Sequence, residues 1–220
     1  MFAGSGLIWI DKSFWGDSEW QDNRAFEGMF QGAGTLRAID DLPLPRQSQT
    51  ITTNMFVNTF YQTFCLGHIT FKQTSAAYSW KNQVIDLTTV GYDTEFYGFR
   101  FNYFANSNQK LYDSNNTLQQ PQMTYVSGVG GISVNKPADG QTYDQGFMPY
   151  YYYTDTASYS LFGWQEAEDF VASLPDTSAY VQAQNATNTI KLRNDVFSSY
   201  TGLNTMVAAA LAKGWTVTLV

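Results

Sequence analysis

Met29-Phe30-Gln31-Gly32-Ala33-Gly34-Thr35-Leu36-Arg37-Ala38-Ile39 is the stretch on which the fold turns, because it recurs. Sliding the chain by thirty residues puts Phe26 on Phe56, Phe30 on Phe60, Leu36 on Leu66 and Ile39 on Ile69. Sliding it back by 28 to 29 puts Met1-Phe2 on Met29-Phe30, Gly4 on Gly32, Gly6 on Gly34, Leu7 on Leu36 and Ile10 on Ile39. Tyr92, Phe96, Phe101 and Phe104 form a weaker fourth copy. Self-similarity at a period of about thirty residues is the mark of stacked units. A unit with one apolar face buries that face only against its neighbour.

Each unit reads as a helix followed by a strand. Phe26 and Phe30 are four apart, so they share one helix face. Ser18 and Gln21 have capping-box spacing, and Asn54 can cap the next helix. Gly32 and Gly34 then end the first helix. Leu36 to Ile39 is a short strand, which Leu42-Pro43-Leu44-Pro45 leaves in extended form. The tail repeats the theme. Thr189 to Leu192 is a strand, and Leu203, Met206, Val207, Ala210 and Leu211 form a helical stripe. Gly214 stops it, and Trp215 to Leu219 is the closing strand of a crossover expected to be right-handed. The repeat aromatics read as core.

The eleven residues Met29 to Ile39 resemble the MF-x-G-C/S-x-x-L-x-x-I unit of the BspA-like leucine-rich repeats. Met1 to Ile10 is a second copy and Thr59 to Ile69 a degenerate third. Leu211-Ala212-Lys213-Gly214-Trp215-Thr216-Val217-Thr218 is similar to the closing strand of such repeats in bacteriophage tail and virion proteins. The resemblance covers residues 1–71 and 175–220 and leaves the middle out. It implies recognition or assembly, as in bacterial and protist surface proteins or phage structural and host-contact proteins. It carries no catalytic residue. The small or Cys residue before the Leu is irregular here. The chain also opens inside a repeat with no polar capping unit, so another subunit or a further segment is expected to cover Met1 to Ile10.

Bulk composition fits this picture. The 220 residues are 44% hydrophobic, enough for a sizeable core. Charged residues are only 14% and aromatics reach 17%, so the surface is dressed with Ser, Thr, Asn, Gln and Tyr, a bias suited to adaptable contacts. The net charge of −7, with twelve scattered Lys and Arg, argues against a nucleic-acid groove. The lone Cys65 allows no internal disulfide. No window has the roughly eighteen apolar residues of a membrane span. Met1 to Lys12 does not read as a signal peptide.

Three regions result: repeat-like units at 1–71, a β-rich insertion at 72–162, and a helix plus a strand–helix–strand unit at 163–220. The fold class is α/β (α+β), with leucine-rich-repeat-like helix–strand units at both ends. In the insertion, Val84 to Val90, Phe99 to Phe104 and Met123 to Val126 are strand-like, while Ser107 to Gln122 is loop-like. Trp164, Ala167, Phe170, Val171 and Leu174 make a helical stripe that stops at Pro175. Tyr150, Tyr151, Tyr152 and Tyr153 are the candidate binding residues, since alternate tyrosines of a strand point to opposite faces; a sheet edge packed on its own domain is the competing reading.

Catalytic and metal chemistry find little footing. A hydrolytic triad would have to use His68, the only histidine, which reads as a surface or hydrogen-bonded residue beside a repeat strand. Cys65 and His68 have ligand-like spacing, but zinc needs four ligands and no second pair exists. Asp40, Asp41, Glu166, Glu168 and Asp169 are the local acidic clusters, read as solvated or capping. Asp113 to Asn116 lacks an EF-hand frame, and Gly128 to Gly131 lacks a Rossmann setting. The resemblance, taken with the low charge, the missing signal peptide and the uncapped first repeat, implies a non-catalytic structural or host-recognition component of a bacteriophage virion. It is expected to be tail-associated and oligomeric, to meet other virion proteins and a host protein or glycan, and to hold no cofactor or metal. A bacterial cell-surface adhesin fragment is the alternative, and a polysaccharide-degrading enzyme using Asp40, Asp41, Glu166 or Glu168 the third reading.

Overall fold

The residues matched by the repeat offset lie on top of one another. Strands β1 (Trp9–Ile10), β2 (Ala38–Leu42) and β4 (His68–Phe71) form a parallel sheet in that order. Trp9 pairs with Ala38 and Ala38 with His68, offsets of 29 and 30 residues. Ile10, Ile39 and Ile69 form the buried row beneath. A computed structural model describes the side chains of residues 2–7, 9–16, 24–64, 66–91 and 162–220, and the backbone alone of short strands at 92–93, 111–112, 118–119, 122–126, 131–135, 142–145 and 159–160.

The helices expected in the first two units are not there. Residues 24–33 run as chained turns. The N–H groups of Glu27, Met29, Gln31 and Ala33 bond back to the carbonyls of Arg24, Phe26, Gly28 and Phe30. The alternating N–H groups of Gly28, Phe30 and Gly32 bond instead to the carbonyls of Val57, Thr59 and Tyr61 in the next layer, at 2.8 to 3.0 Å. Left-handed residues recur every four positions, at Gly28 and Gly32 and again at Asn58 and Gln62, so each N–H turns alternately inward and across. Helix and chained turns both put Phe26 and Phe30 on one side, which is why the spacing alone suggested a helix. The rings stack between layers: Phe2 on Phe30 at 5.7 Å, Phe30 on Phe60 at 5.9 Å, and Phe26 on Phe56 at 5.2 Å, all within 10° of parallel. Asn54 does accept the Phe56 N–H, in the manner of a cap, and also the Val84 N–H of the layer above. Ser18 and Gln21 lie outside the described residues.

The strand β2 carries an irregularity at Asp41, whose φ is 51°. The register shift lets both Ile39 and Leu42 point inward although they are three apart. A second column pairs β3 (Thr50–Ile51) with β5 (Ser79–Trp80), and Ala77 bridges Asp176 beyond it. β6 follows at Val84–Asp86.

Among the described middle residues, β7 (Tyr92–Asp93), β8 (Leu111–Tyr112), β9 (Leu118–Gln119), β10 (Gln122–Val126), β11 (Gly131–Asn135), β12 (Thr142–Gln145) and β13 (Tyr159–Ser160) are all strands. β10, β11 and β12 form an antiparallel meander; β7, β13, β8 and β9 form a second antiparallel sheet. The stretch expected as loop at 107–122 thus contains two short strands. Phe96, Phe101 and Phe104 of the weak fourth copy lie outside the described residues, and Tyr92 is described in backbone alone.

After the middle region, helix α1 (Trp164–Ser173) buries Ala167, Phe170 and Val171 and ends before Pro175, as its stripe indicated. It covers the open side of β4: Phe170 lies 5.6 Å from Phe71, and Ser173 Oγ accepts the Phe71 N–H at 3.1 Å. Next come α2 (Ser178–Ala183), β14 (Asn188–Leu192), α3 (Asn194–Phe197), α4 (Leu203–Ala212) and β15 (Trp215–Leu219). β14 lies between β6 and β15, parallel to both, so the tail is the expected strand–helix–strand unit. Its helical stripe is narrower than expected. Met206 and Ala210 are buried, but Leu211 is 62% exposed, because it sits at the end of α4 beyond the packed face.

Polar pins join these layers. The buried Gln83 donates to the carbonyls of Thr53 and Lys81 and accepts the Met55 N–H; its own backbone N–H goes to Asn188 Oδ1. Asn188 in turn donates to the Trp80 carbonyl and to Thr177 Oγ1. Described residues from Ile10 to Phe71, from Tyr78 to Val90 and from Phe162 to Trp215 share one hydrophobic cluster. The described chain is thus a mixed α/β protein whose repeated segments stack in register.

Two expectations follow for stability. Phe30→Ala and Phe60→Ala should each cost about 3–5 kcal/mol in denaturant titration, since both rings are fully enclosed; losses below roughly 1 kcal/mol at both would refute the stacked core. Gly4 and Gly91 are both left-handed, but a Cβ at Gly4 meets nothing within 4 Å, whereas one at Gly91 falls 2.5 Å from the Leu66 carbonyl oxygen and 2.6 Å from the Phe162 nitrogen. Gly4→Ala should therefore cost about 1–2 kcal/mol. Gly91→Ala should cost about 3 kcal/mol or more, because overpacking adds to the same backbone strain.

Candidate functional site

The inward row Ile10, Ile39 and Ile69 fixes the opposite row, since alternate residues of a strand face opposite ways. Trp9, Ala38 and His68 therefore line the outer face of the β1–β2–β4 sheet, and Asp40 follows Ile39 onto that face. Trp9 is 62% exposed.

Asp40 gathers the neighbours. Its Oδ2 accepts the Trp9 indole N–H at 3.0 Å, and its Oδ1 lies 3.3 Å from His68 Nε2. Its backbone carbonyl accepts the Trp15 indole N–H at 2.8 Å. Thr70 Oγ1 accepts the Asp41 N–H, holding the irregular turn of β2 against β4. Beside this lies the short 3-10 turn Lys12–Phe14, started by Asp11, whose side chain accepts the Ser13 N–H. Hydrogen bonds from Ser13, with Lys12 nearby, hold the Asp11 carboxyl below its ordinary range. The turn carries Phe14, which is 56% exposed, and Trp15, which is buried. Both rings pack edge-on against Phe2, so the chain itself supplies part of the cover that the bare first unit was expected to need from elsewhere.

His68 is the first residue of the repeat strand β4 rather than beside it, and it is half-buried next to a polar partner. Cys65 and the tyrosines Tyr150, Tyr151, Tyr152 and Tyr153 lie outside the described residues, as do Asp113 to Asn116. The acidic residues are dispersed in role. Asp40 holds Trp9 and His68, Glu168 accepts the Tyr200 hydroxyl, and Asp169 accepts the Gln165 side-chain amide. Among the described residues, no group of three or more His, Cys, Asp or Glu could hold a metal ion. No helix is long and apolar enough to cross a membrane, again among the described residues. The residue that sequence reasoning missed is Trp9. Its signal was present: it precedes the inward Ile10 by one, so it points outward.

Comparison with protein-family models, with curated proteins and with solved structures found no match for this chain.

Replacing the carboxylate tests this arrangement. Asp40→Ala should cost no more than about 1 kcal/mol, as expected for partly exposed polar contacts. It should speed solvent exchange of the Trp9 indole N–H in NMR while leaving that of Trp15, which bonds to the backbone. An unchanged Trp9 signal would contradict the bond.

Proposed function

We propose that this chain is a non-catalytic recognition component built of leucine-rich-repeat-like coils, and that it serves as a structural or host-contact part of a bacteriophage virion, tail-associated and oligomeric. One observation carries the recognition role. The stack at offsets of 29 and 30 residues presents a rigid outer row in which an exposed indole is held by a neighbouring layer. Such a surface is prepared to bind before any partner arrives, which lowers the ordering cost of association. The engagement of Asp40 with Trp9 and His68, and of Glu168 with Tyr200, supports a binding rather than a hydrolytic role. The virion setting rests on the sequence resemblance of Met29 to Ile39 and of Leu211 to Thr218.

Immunogold labelling and mass analysis of particles produced by the strain that carries the gene give the test. The chain should be found on the tail in several copies. A monodisperse monomer absent from purified particles would overturn the proposal.

A further inference from the structure

We propose that the outer face of the β1–β2–β4 sheet is a shallow site for a neutral pyranose unit of a glycan, stacked on Trp9 and hydrogen-bonded by Asp40 and His68. This rests on the recognition reading above and names the ligand class of that surface.

Three features of the face point to a sugar. The first is the indole. A lone exposed aromatic is ordinary, but Trp9, a residue 62% exposed, is oriented by its indole N–H bond to Asp40 Oδ2. A pyranose presents a face of polarised C–H groups, which suits the negative face of an aromatic ring. The second is the polar pair at the rim. Each carboxylate offers about four lone-pair sites; Trp9 occupies one on Oδ2 of Asp40, and His68 Nε2 lies 3.3 Å from Oδ1. Acceptor capacity remains for a sugar hydroxyl, and the second nitrogen of His68, whose side chain is 40% exposed, can donate or accept. Stacked ring and hydroxyl partners are thus held side by side on adjacent strands. The third is charge. Asp41 follows Asp40 in the chain and Asp11 follows Ile10 where β1 pairs with β2, Lys12 is the one cation of that turn, and the whole chain carries −7, so an anionic sugar would be disfavoured. A protein partner fits less well, because a stable interface buries about 1,200–2,000 Å², and among the described residues of this face the exposed large apolar side chain is that of Trp9.

The full chain would be titrated by calorimetry and saturation-transfer NMR with maltotriose, cellotriose, chitotriose and mannotriose, with sialyllactose as the anionic probe and an arginine-rich peptide as the cationic one. At least one neutral saccharide should bind. Trp9→Ala should weaken it by about tenfold or more, Trp9→Phe by less, and Asp40→Asn by several-fold, with unchanged far-ultraviolet circular dichroism showing that the variants fold. Absence of neutral-saccharide binding, binding that survives Trp9→Ala, or preference for sialyllactose or the peptide would overturn the inference. The two proposals fail separately. A chain found on particles that binds no saccharide loses only the sugar site; Trp9-dependent saccharide binding by a chain absent from particles loses only the virion role.

Discussion

In the chained turns at 24–33 the N–H groups of Gly28, Phe30 and Gly32 are given to the next layer while those between them close turns within the segment, and the stack depends on that division. An α-helix would satisfy all of its interior N–H groups within its own segment and would leave adjacent layers joined by side chains alone. Here the donors alternate, so each layer closes its own turns and is also bonded to its neighbour. Buried backbone polar groups must be paired, and in this arrangement pairing is possible only when the layers are in register. The offset of about thirty residues is therefore enforced by hydrogen bonds as well as by packing.

The aromatic rings act on the same constraint. Phe2, Phe30 and Phe60 stack nearly parallel because the backbone beneath them is spaced by cross-layer bonds, and Thr59 Oγ1 reaches the Phe26 carbonyl across the same gap. Where the repeat decays, after Phe71, polar side chains take over. Gln83 and Asn188 replace missing backbone partners and carry the register from the first layers into the tail, although they are 105 residues apart in the chain. Each buried amide left unpaired would cost about 1–3 kcal/mol, so these two residues help to select which strand lies beside β6. α1 closes the sheet on the side of β4, and Ser173 meets the N–H of Phe71.

The outer face of the first sheet inherits its shape from this frame. Trp9, Asp40 and His68 belong to three different layers, and none is near another in the chain. Their contact is a product of strand register: a slip by one residue would turn all three toward the core and their apolar neighbours toward water. The strength with which the core sets the register is what makes the surface rigid enough to serve as the recognition face proposed for it.

The sequence by itself determined which residues stack. The matches of Phe26 to Phe56, Phe30 to Phe60 and Ile39 to Ile69 are contacts in the structure. The stripe of α1 and the strand–helix–strand tail were equally legible, because apolar periodicity follows directly from burial. The sequence did not determine the backbone between the phenylalanines, since a four-residue spacing suits a helix and a chain of turns alike. Only the tertiary structure decided it, by offering every second N–H an acceptor in the next layer. The site was legible in pieces. His68 could be placed beside a strand, and Trp9 opposite a core isoleucine, but their meeting at Asp40 is a contact between layers. It comes into being only when strands some thirty residues apart align.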